Sequence, residues 1–328
     1  MRKVKIEEAV GLMLAHDLTR IIPGVEKGPL FQRGHVLAAA DIPLLLDIGK
    51  KHIFVLDGTE TEIHEDEAGQ RIAQAVMGDH IRISDPSEGK VNLISTLDGI
   101  LKIDPLLLDE LLDDPEICFS TATPDFFYKA GSLLASCRII PLMKAEDSLI
   151  KLEAHFKSER PLISIAPIKP QRIGLVITGS EIAEGRIQDA FGPLLTQKNQ
   201  SLGAEIVGLT YPGDDQGSIE QSILNFLDQG CTMVQLTGGM SVDPDDCTKF
   251  AISEVCDETI LYGTSVLPGA MFMLAYKDGH PVIGLPGGVI ASKFSIFDFV
   301  VPRLFTEEKL TRKDFKAMAL GGLINARR

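Results

Sequence analysis

Three carboxylates crowd the end of the run Thr237-Gly238-Gly239-Met240-Ser241-Val242-Asp243-Pro244-Asp245-Asp246-Cys247-Thr248. The run follows an apolar stretch, 233–236, that predicts a buried strand. A strand that ends in Thr-Gly-Gly and opens into a helix leaves backbone N–H groups bare, and such groups hold anions. Asp243, Asp245 and Asp246 would repel a phosphate unless a cation such as Mg²⁺ lay between them. The segment therefore suggests a phosphorylated ligand, a divalent metal and an open α/β sheet to carry both. The same acids also suit a plain helix start.

The elements that must position this chemistry alternate regularly from residue 169 onward. Strands are predicted at 172–178, 204–210, 233–236 and 281–285, and helices at 189–202, 218–229, 246–255 and 289–305. Continuous apolar strands separated by amphipathic helices indicate a mostly parallel sheet buried on both faces, a three-layer α/β/α arrangement. Ligands of such sheets bind beyond the carboxyl ends of the strands. The loops there are Thr178-Gly179-Ser180-Glu181-Ile182, Tyr211-Pro212-Gly213-Asp214-Asp215, the Thr-Gly-Gly run, and Leu285-Pro286-Gly287-Gly288-Val289-Ile290-Ala291-Ser292-Lys293. A Leu267-Pro268-Gly269-Ala270 turn precedes the last. Hydroxyls of Thr178, Ser180, Thr237, Ser241, Thr248 and Ser292 suit phosphate or ring heteroatoms. Lys249 and Lys293 follow glycine turns by about a helical turn and suit either an anion or solvent.

Residues 1–168 read differently. Short strands are predicted at 53–56, 91–94, 117–120 and 163–166, and helices at 41–49, 66–77, 105–112 and 125–137. This is an α+β or β-rich region, not a wound sheet. The Ile165-Ala166-Pro167-Ile168-Lys169-Pro170 stretch reads as a linker to 169–328, since two nearby prolines stiffen the chain and exclude helix.

The formal net charge of −14 argues against non-specific binding to nucleic acid or to an anionic membrane surface. No uncharged apolar run reaches the roughly 18–20 residues of a membrane span. The start, Met-Arg-Lys-Val-Lys-Ile-Glu-Glu, lacks the apolar core of a signal peptide. Five cysteines without a C-x-x-C pair argue against a disulfide framework or a structural zinc, and a reducing cytoplasm fits.

The four loops, in this order and each behind a predicted strand, resemble the molybdopterin-binding domain over roughly residues 169–305. That domain is shared by the molybdenum-insertion (MoeA-like) enzymes, which are the closest resemblance, and by the adenylyl-transferring (MogA and MoaB) and competence-damage (CinA) proteins. Thr178 to Ile182 match its first turn. Thr237, Gly238, Gly239, Asp246 and Thr248 match its Thr/Ser-Gly-Gly turn, and Pro268-Gly269 and Leu285-Pro286-Gly287 match its later turns in part.

The resemblance implies the molybdopterin-binding fold, and a transferase that takes part in molybdenum insertion during molybdenum cofactor biosynthesis. It implies molybdopterin, free or adenylylated, as ligand, with Mg²⁺ and molybdate. Asp214 and Asp246 would hold the metal and serve catalysis. Thr178, Gly179, Ser180, Glu181, Asp189, Thr237, Gly238, Gly239, Ser241, Thr248, Pro286, Gly287, Gly288 and Lys293 would bind the pterin. A molybdoenzyme or another cofactor-biosynthesis protein would be the partner, and relatives of the fold assemble as homo-oligomers.

Three departures bear on catalysis. Ser180 stands where the insertion enzymes have Asp, Ala190-Phe191 where they have Ser-Asn, and Gly288-Val289 where they have Asn-Pro. A non-catalytic carrier or sensor of the cofactor, and a CinA-like nucleotide pyrophosphatase, thus remain open beside the transferase.

Overall fold

The computed structural model describes residues 1–22, 26–56, 62–158 and 160–324. The chain divides into two compact units. One comprises Met1–Thr96, Lys102–Ala122 and Ala130–Ile165; the other comprises Leu97–Leu101, Thr123–Lys129 and Ala166–Arg328.

In the first unit, Arg2–Lys5 pairs antiparallel with His52–Val55. A core of Val4, Ile6, Leu14, Leu37, Leu45, Ile53 and Val55 forms beneath them. A four-stranded antiparallel sheet follows, in the order Ile81–Ile83, Val91–Ser95, Leu133–Ile139, Ile117–Thr121. Helix Glu65–Val76 buries Ala68, Ile72, Ala73 and Val76, the spacing of one apolar helical face. The Arg71 guanidinium meets Glu153 of helix Glu146–Ser158 through two hydrogen bonds of 2.7 and 3.2 Å.

The helix expected at 125–137 does not form. Strands Phe127–Tyr128 and Leu133–Ile139 occupy that range. Asp125 and Gly131 both take positive φ, of 61° and 84°, which breaks any helix there. Leu134, Cys137 and Ile139 are then buried through pairing with two distant strands, so tertiary pairing overrides local periodicity.

The second unit is built on six strands: β1 (Arg172–Ile177), β2 (Glu205–Thr210), β3 (Met233–Thr237), β4 (Glu258–Tyr262), β5 (Met273–Lys277) and β6 (His280–Leu285). Their order is β2-β1-β3-β6-β5-β4. The first four in that order are mutually parallel, and β5 pairs antiparallel with both neighbours. Besides the short helical turns Ser180–Ala183 and Gly288–Ala291, its helices among the described residues are α1 (Phe191–Ser201), α2 (Gln216–Asp228), α3 (Thr248–Val255), α4 (Ile296–Leu304) and α5 (Arg312–Ala317).

Alternation along each strand makes two cores. Ile173, Leu175 and Ile177 of β1 join Leu195 of α1 and Val300, Val301 and Leu304 of α4 on one face. Val176, Val234 and Leu236 join Ile219 and Ile223 of α2 and Ile252 of α3 on the other. The result is the three-layer α/β/α sheet, mostly parallel, that the run of apolar strands implies.

The helix expected over 289–305 is interrupted. A short turn, Gly288–Ala291, ends at Ser292, and α4 begins afresh after Ser295. The Ser295 hydroxyl accepts from the Phe297 N–H at 3.3 Å, while the Asp298 carboxylate accepts from the Ser295 N–H at 2.9 Å. This reciprocal cap supplies a helix start inside the apolar run.

Close helix-to-sheet packing carries a testable cost. A Cβ added at Gly174 of β1 would fall on the Phe226 ring of α2. We expect Gly174→Ala to lower stability by about 1–3 kcal/mol through overpacking. The loss should shrink in a Phe226→Leu background, as read by urea midpoints of the two single variants and the double.

Candidate functional site

Strand register decides which loops meet. Val176 is level with Thr210, Ile177 with Thr237, and Thr237 with Leu285. The loops after β2, β1, β3 and β6 therefore leave one rim of the sheet in that order. The chain reverses direction across the sheet between β1 and β3, so the β1 and β3 loops flank a switch point. That is where doubly wound sheets leave a crevice for ligands. The Thr237-Gly238-Gly239 and Pro286-Gly287-Gly288 turns begin on adjacent, level strands.

The β1 and β3 loops are sewn together. The Thr178 N–H donates to the Thr237 carbonyl at 2.8 Å, and the Thr178 hydroxyl lies 3.1 Å from the Thr248 hydroxyl at the start of α3. Thr178, Thr237 and Thr248 are all buried. Gly238 and Gly239 have φ of 90° and 55°. A Cβ at Gly238 would meet the Thr178 carbonyl, and one at Gly239 would stand 2.5 Å from the Thr248 hydroxyl. The two glycines are thus required by packing between loops. At Gly287, by contrast, nothing lies within 4 Å of where a Cβ would stand. Room beside the backbone exists there.

Asp214 reaches from the β2 loop to the β1 loop. Its carboxylate accepts both the Ser180 N–H at 2.7 Å and the Ser180 hydroxyl at 2.8 Å. The short helix Ser180–Ala183 starts on this clamp, preceded by Gly179 and with Glu181 in its first turn. Asp189 acts similarly for α1. It accepts the Phe191 N–H at 2.7 Å, the Gly192 N–H at 3.0 Å and the Tyr211 hydroxyl at 3.0 Å. Burial, and then the bond to Asp189, hold the Tyr211 phenol above its usual pKa.

Asp246 does not cap α3, whose N-cap is Cys247. Its carboxylate turns back to the Asp243 N–H at 3.2 Å, closing the acidic loop on itself. Cys247, next to Asp246 in the chain, ties this loop to the β2 loop: its thiol donates to the Asp214 carbonyl at 3.0 Å. Burial, with the Asp214, Asp215 and Asp246 carboxylates nearby, pushes the pKa of that thiol up. Among the described residues, no group of three or more His, Cys, Asp or Glu is arranged to hold a metal by itself.

Lys249 is not directed outward. Its ammonium donates to the Ser241 carbonyl at 2.5 Å and stands over the Phe250 and Tyr262 rings at 5.3 and 5.5 Å. Tyr262 in turn donates to the Met240 carbonyl at 2.8 Å. The Met240-Ser241 segment is therefore pinned from α3 and from β4. Tyr262 carries no motif in the sequence; only the pairing of β4 with β5 brings it to the rim. Lys293 lies over the Phe294 ring at 5.8 Å, and Gly288 packs on Pro268, whose carbonyl accepts from the Ile296 N–H at 3.1 Å.

Residues 174–306 match a family model described as a probable molybdopterin binding domain, and residues 3–57 match a domain of unknown function (DUF8806). A CinA-like protein of Mycobacterium avium is 33% identical over 95 residues, 29% of this chain and 22% of the relative. One of Mycolicibacterium gilvum is 36% identical over 85 residues, 26% and 20% of the two chains. The chain thus spans about a fifth of the length of these curated relatives. Among solved structures, the molybdopterin biosynthesis enzyme MoaB of Thermus thermophilus has a TM-score of 0.37 at 19% identity, covering 42% of this chain and 98% of that one. CinA of Thermoplasma acidophilum, of unknown function, has a TM-score of 0.33 at 16% identity, covering 36% and 89%. The matched span holds most of β1, all of β2, β3 and β6 and every loop of the rim, and this part of the chain is similar to the molybdopterin-binding family.

Proposed function

We propose that the rim binds a phosphorylated pterin of the molybdopterin class, in a step of molybdenum cofactor biosynthesis. The observation that carries this reading is the level placement of the Thr237 and Leu285 strand ends, which sets two glycine turns side by side. Gly287 offers free space beside its backbone, and the turn Gly288–Ala291 starts there. Amides in that position suit a phosphate. Thr178, Gly179, Ser180, Glu181 and Asp189 edge the site from the β1 side. Gly238, Gly239, Ser241 and Thr248 form its middle, and Pro286, Gly287, Gly288 and Lys293 its far side.

The acids fit Mg²⁺ only in a shared manner. Asp214 commits one carboxylate oxygen to Ser180, and Asp246 commits one to the Asp243 amide. Each would offer its other oxygen, with phosphate oxygens and water completing the six positions Mg²⁺ requires. Bound there, the metal would neutralise phosphate charge and polarise a phosphoanhydride. The residues of this chain position the ligand and keep its charge compensated.

Molybdate insertion into adenylylated pterin is the catalytic form of this proposal. The carrier form is favoured by Asp214, whose carboxylate is already engaged where the insertion enzymes have an Asp in place of Ser180. A second class, a nucleotide pyrophosphatase, is favoured by the CinA-like relatives and by the run from Thr237 to Thr248.

Titration with phosphopterin and Mg²⁺ tests binding. Asp246→Asn is expected to weaken Mg²⁺-dependent affinity by roughly tenfold while the fold stays intact. Unchanged affinity would remove Asp246 from the site. Molybdate-dependent turnover of adenylylated pterin would mark the transferase, binding without turnover the carrier, and cleavage of ADP-ribose the hydrolase.

A further inference from the structure

A cavity of about 430 Å³ lies within the first unit. It is lined by Thr19, Arg20, Leu30, Leu44, Asp47, Ile48 and Lys50. Its size is in the range of small-molecule sites. Leu44, Asp47 and Ile48 follow helical spacing along Ile42–Asp47 and its C-cap, and so present one face. The opposite wall is the hairpin of Leu18–Ile22 and Glu26–Phe31.

The hairpin is irregular at this cavity. Leu18 is level with Phe31 but Thr19 with Pro29, so Leu30 is the extra residue of a β-bulge. Bulges re-aim side chains and are frequent next to binding sites. Here the skipped residue is one of the cavity's apolar walls. Arg20 stands opposite Gly28, a residue with no side chain to cover it.

Arg20 and Lys50 both face the cavity, and among the described residues neither forms an ion pair or a side-chain hydrogen bond. Two cations beside Leu30, Leu44 and Ile48 are complementary to a molecule with an anionic head and an apolar body. The single acid of the lining, Asp47, offers an acceptor to a donor on that molecule.

We infer that the Arg20–Lys50 cavity binds a small organic anion with an apolar or aromatic body, at a site separate from the phosphopterin rim. Arg20 and Lys50 hold the charge and Leu30, Leu44 and Ile48 cover the body. The inference uses only residues of the first unit and stands whether or not the rim binds a pterin.

Fluorescence titration of the full chain with 8-anilinonaphthalene-1-sulfonate tests it, since that probe joins one sulfonate to an aromatic body. One saturable site is expected. Arg20→Gln and Lys50→Gln should each weaken binding roughly tenfold or more, because each removes a charge-assisted contact. Leu44→Trp should also weaken it by filling the cavity from a half-exposed position that tolerates bulk. Asp246→Asn should leave it unchanged. Probe binding that does not saturate, or that all three cavity variants leave unmoved, overturns the inference. Circular dichroism of each variant keeps loss of fold distinct from loss of the site.

Discussion

Gly239→Val is expected to abolish phosphopterin binding and to lower stability by about 3–5 kcal/mol, the range of severe steric and strain defects. Two costs add. The backbone at Gly239 has φ of 55°, where a β-branched residue is strained. The new Cβ would also stand 2.5 Å from the Thr248 hydroxyl and 3.3 Å from that of Thr178. Both hydroxyls belong to the buried contact that joins the β1 loop to α3. Pushing them apart would move Thr178, Gly179 and Ser180 together. The cause is thus internal collision, not obstruction of the ligand's path.

A double-mutant cycle separates the two costs. Gly239→Ala should destabilise clearly, and Thr248→Ala should relieve a good part of that loss by removing the oxygen the Cβ meets. Additive losses in urea midpoints would mean that strain, not collision, dominates. Normal phosphopterin affinity in Gly239→Val would show that the turn is structural and lies outside the site.

The second large effect is expected at Asn199→Leu, which should destabilise by about 2–4 kcal/mol. Asn199 of α1 and Gln235 of β3 are fully buried and exchange two amide hydrogen bonds, both of 2.9 Å. The Asn199 amide also donates to the Leu195 carbonyl at 2.8 Å. Removing Asn199 leaves the Gln235 amide without its partner in an apolar layer. Such a group costs the desolvation of both its donor and its acceptor. Replacing both residues, as Asn199→Leu with Gln235→Leu, should recover much of the loss. Equal instability of the single and the double variants in chemical denaturation would refute this account. Because Gln235 is two residues before Thr237, the single variant should also loosen the rim and weaken phosphopterin binding.

The reading of this protein divides unevenly between sequence and structure. The parallel strands of the second unit were legible because strands buried on both faces are continuous apolar runs. β4 was not, since this edge strand exposes Glu258, Thr259 and Tyr262 and shows little of that pattern, and β5 was not singled out either. The expected helix over 125–137 failed because a local period cannot register pairing with Val91–Ser95 and Ile117–Thr121, strands remote in sequence. At the rim, residue types pointed to the four loops and to an anion.

The physical roles within those loops needed the fold. Ser180 and Asp214 are 34 residues apart in sequence and share a carboxylate oxygen in space. Gly238 and Gly239 read as ligand-facing but are packed on Thr178 and Thr248, while Gly287 is the open one. Lys249, which by sequence suits either an anion or solvent, donates instead to the Ser241 carbonyl. The sequence by itself determined the wound sheet and its carboxyl-end loops, because hydrophobic periodicity and glycine placement act locally. Only the tertiary structure decided which side chains hold the loops and which remain for a ligand. Those contacts depend on strand register, and register is set by packing across the whole sheet.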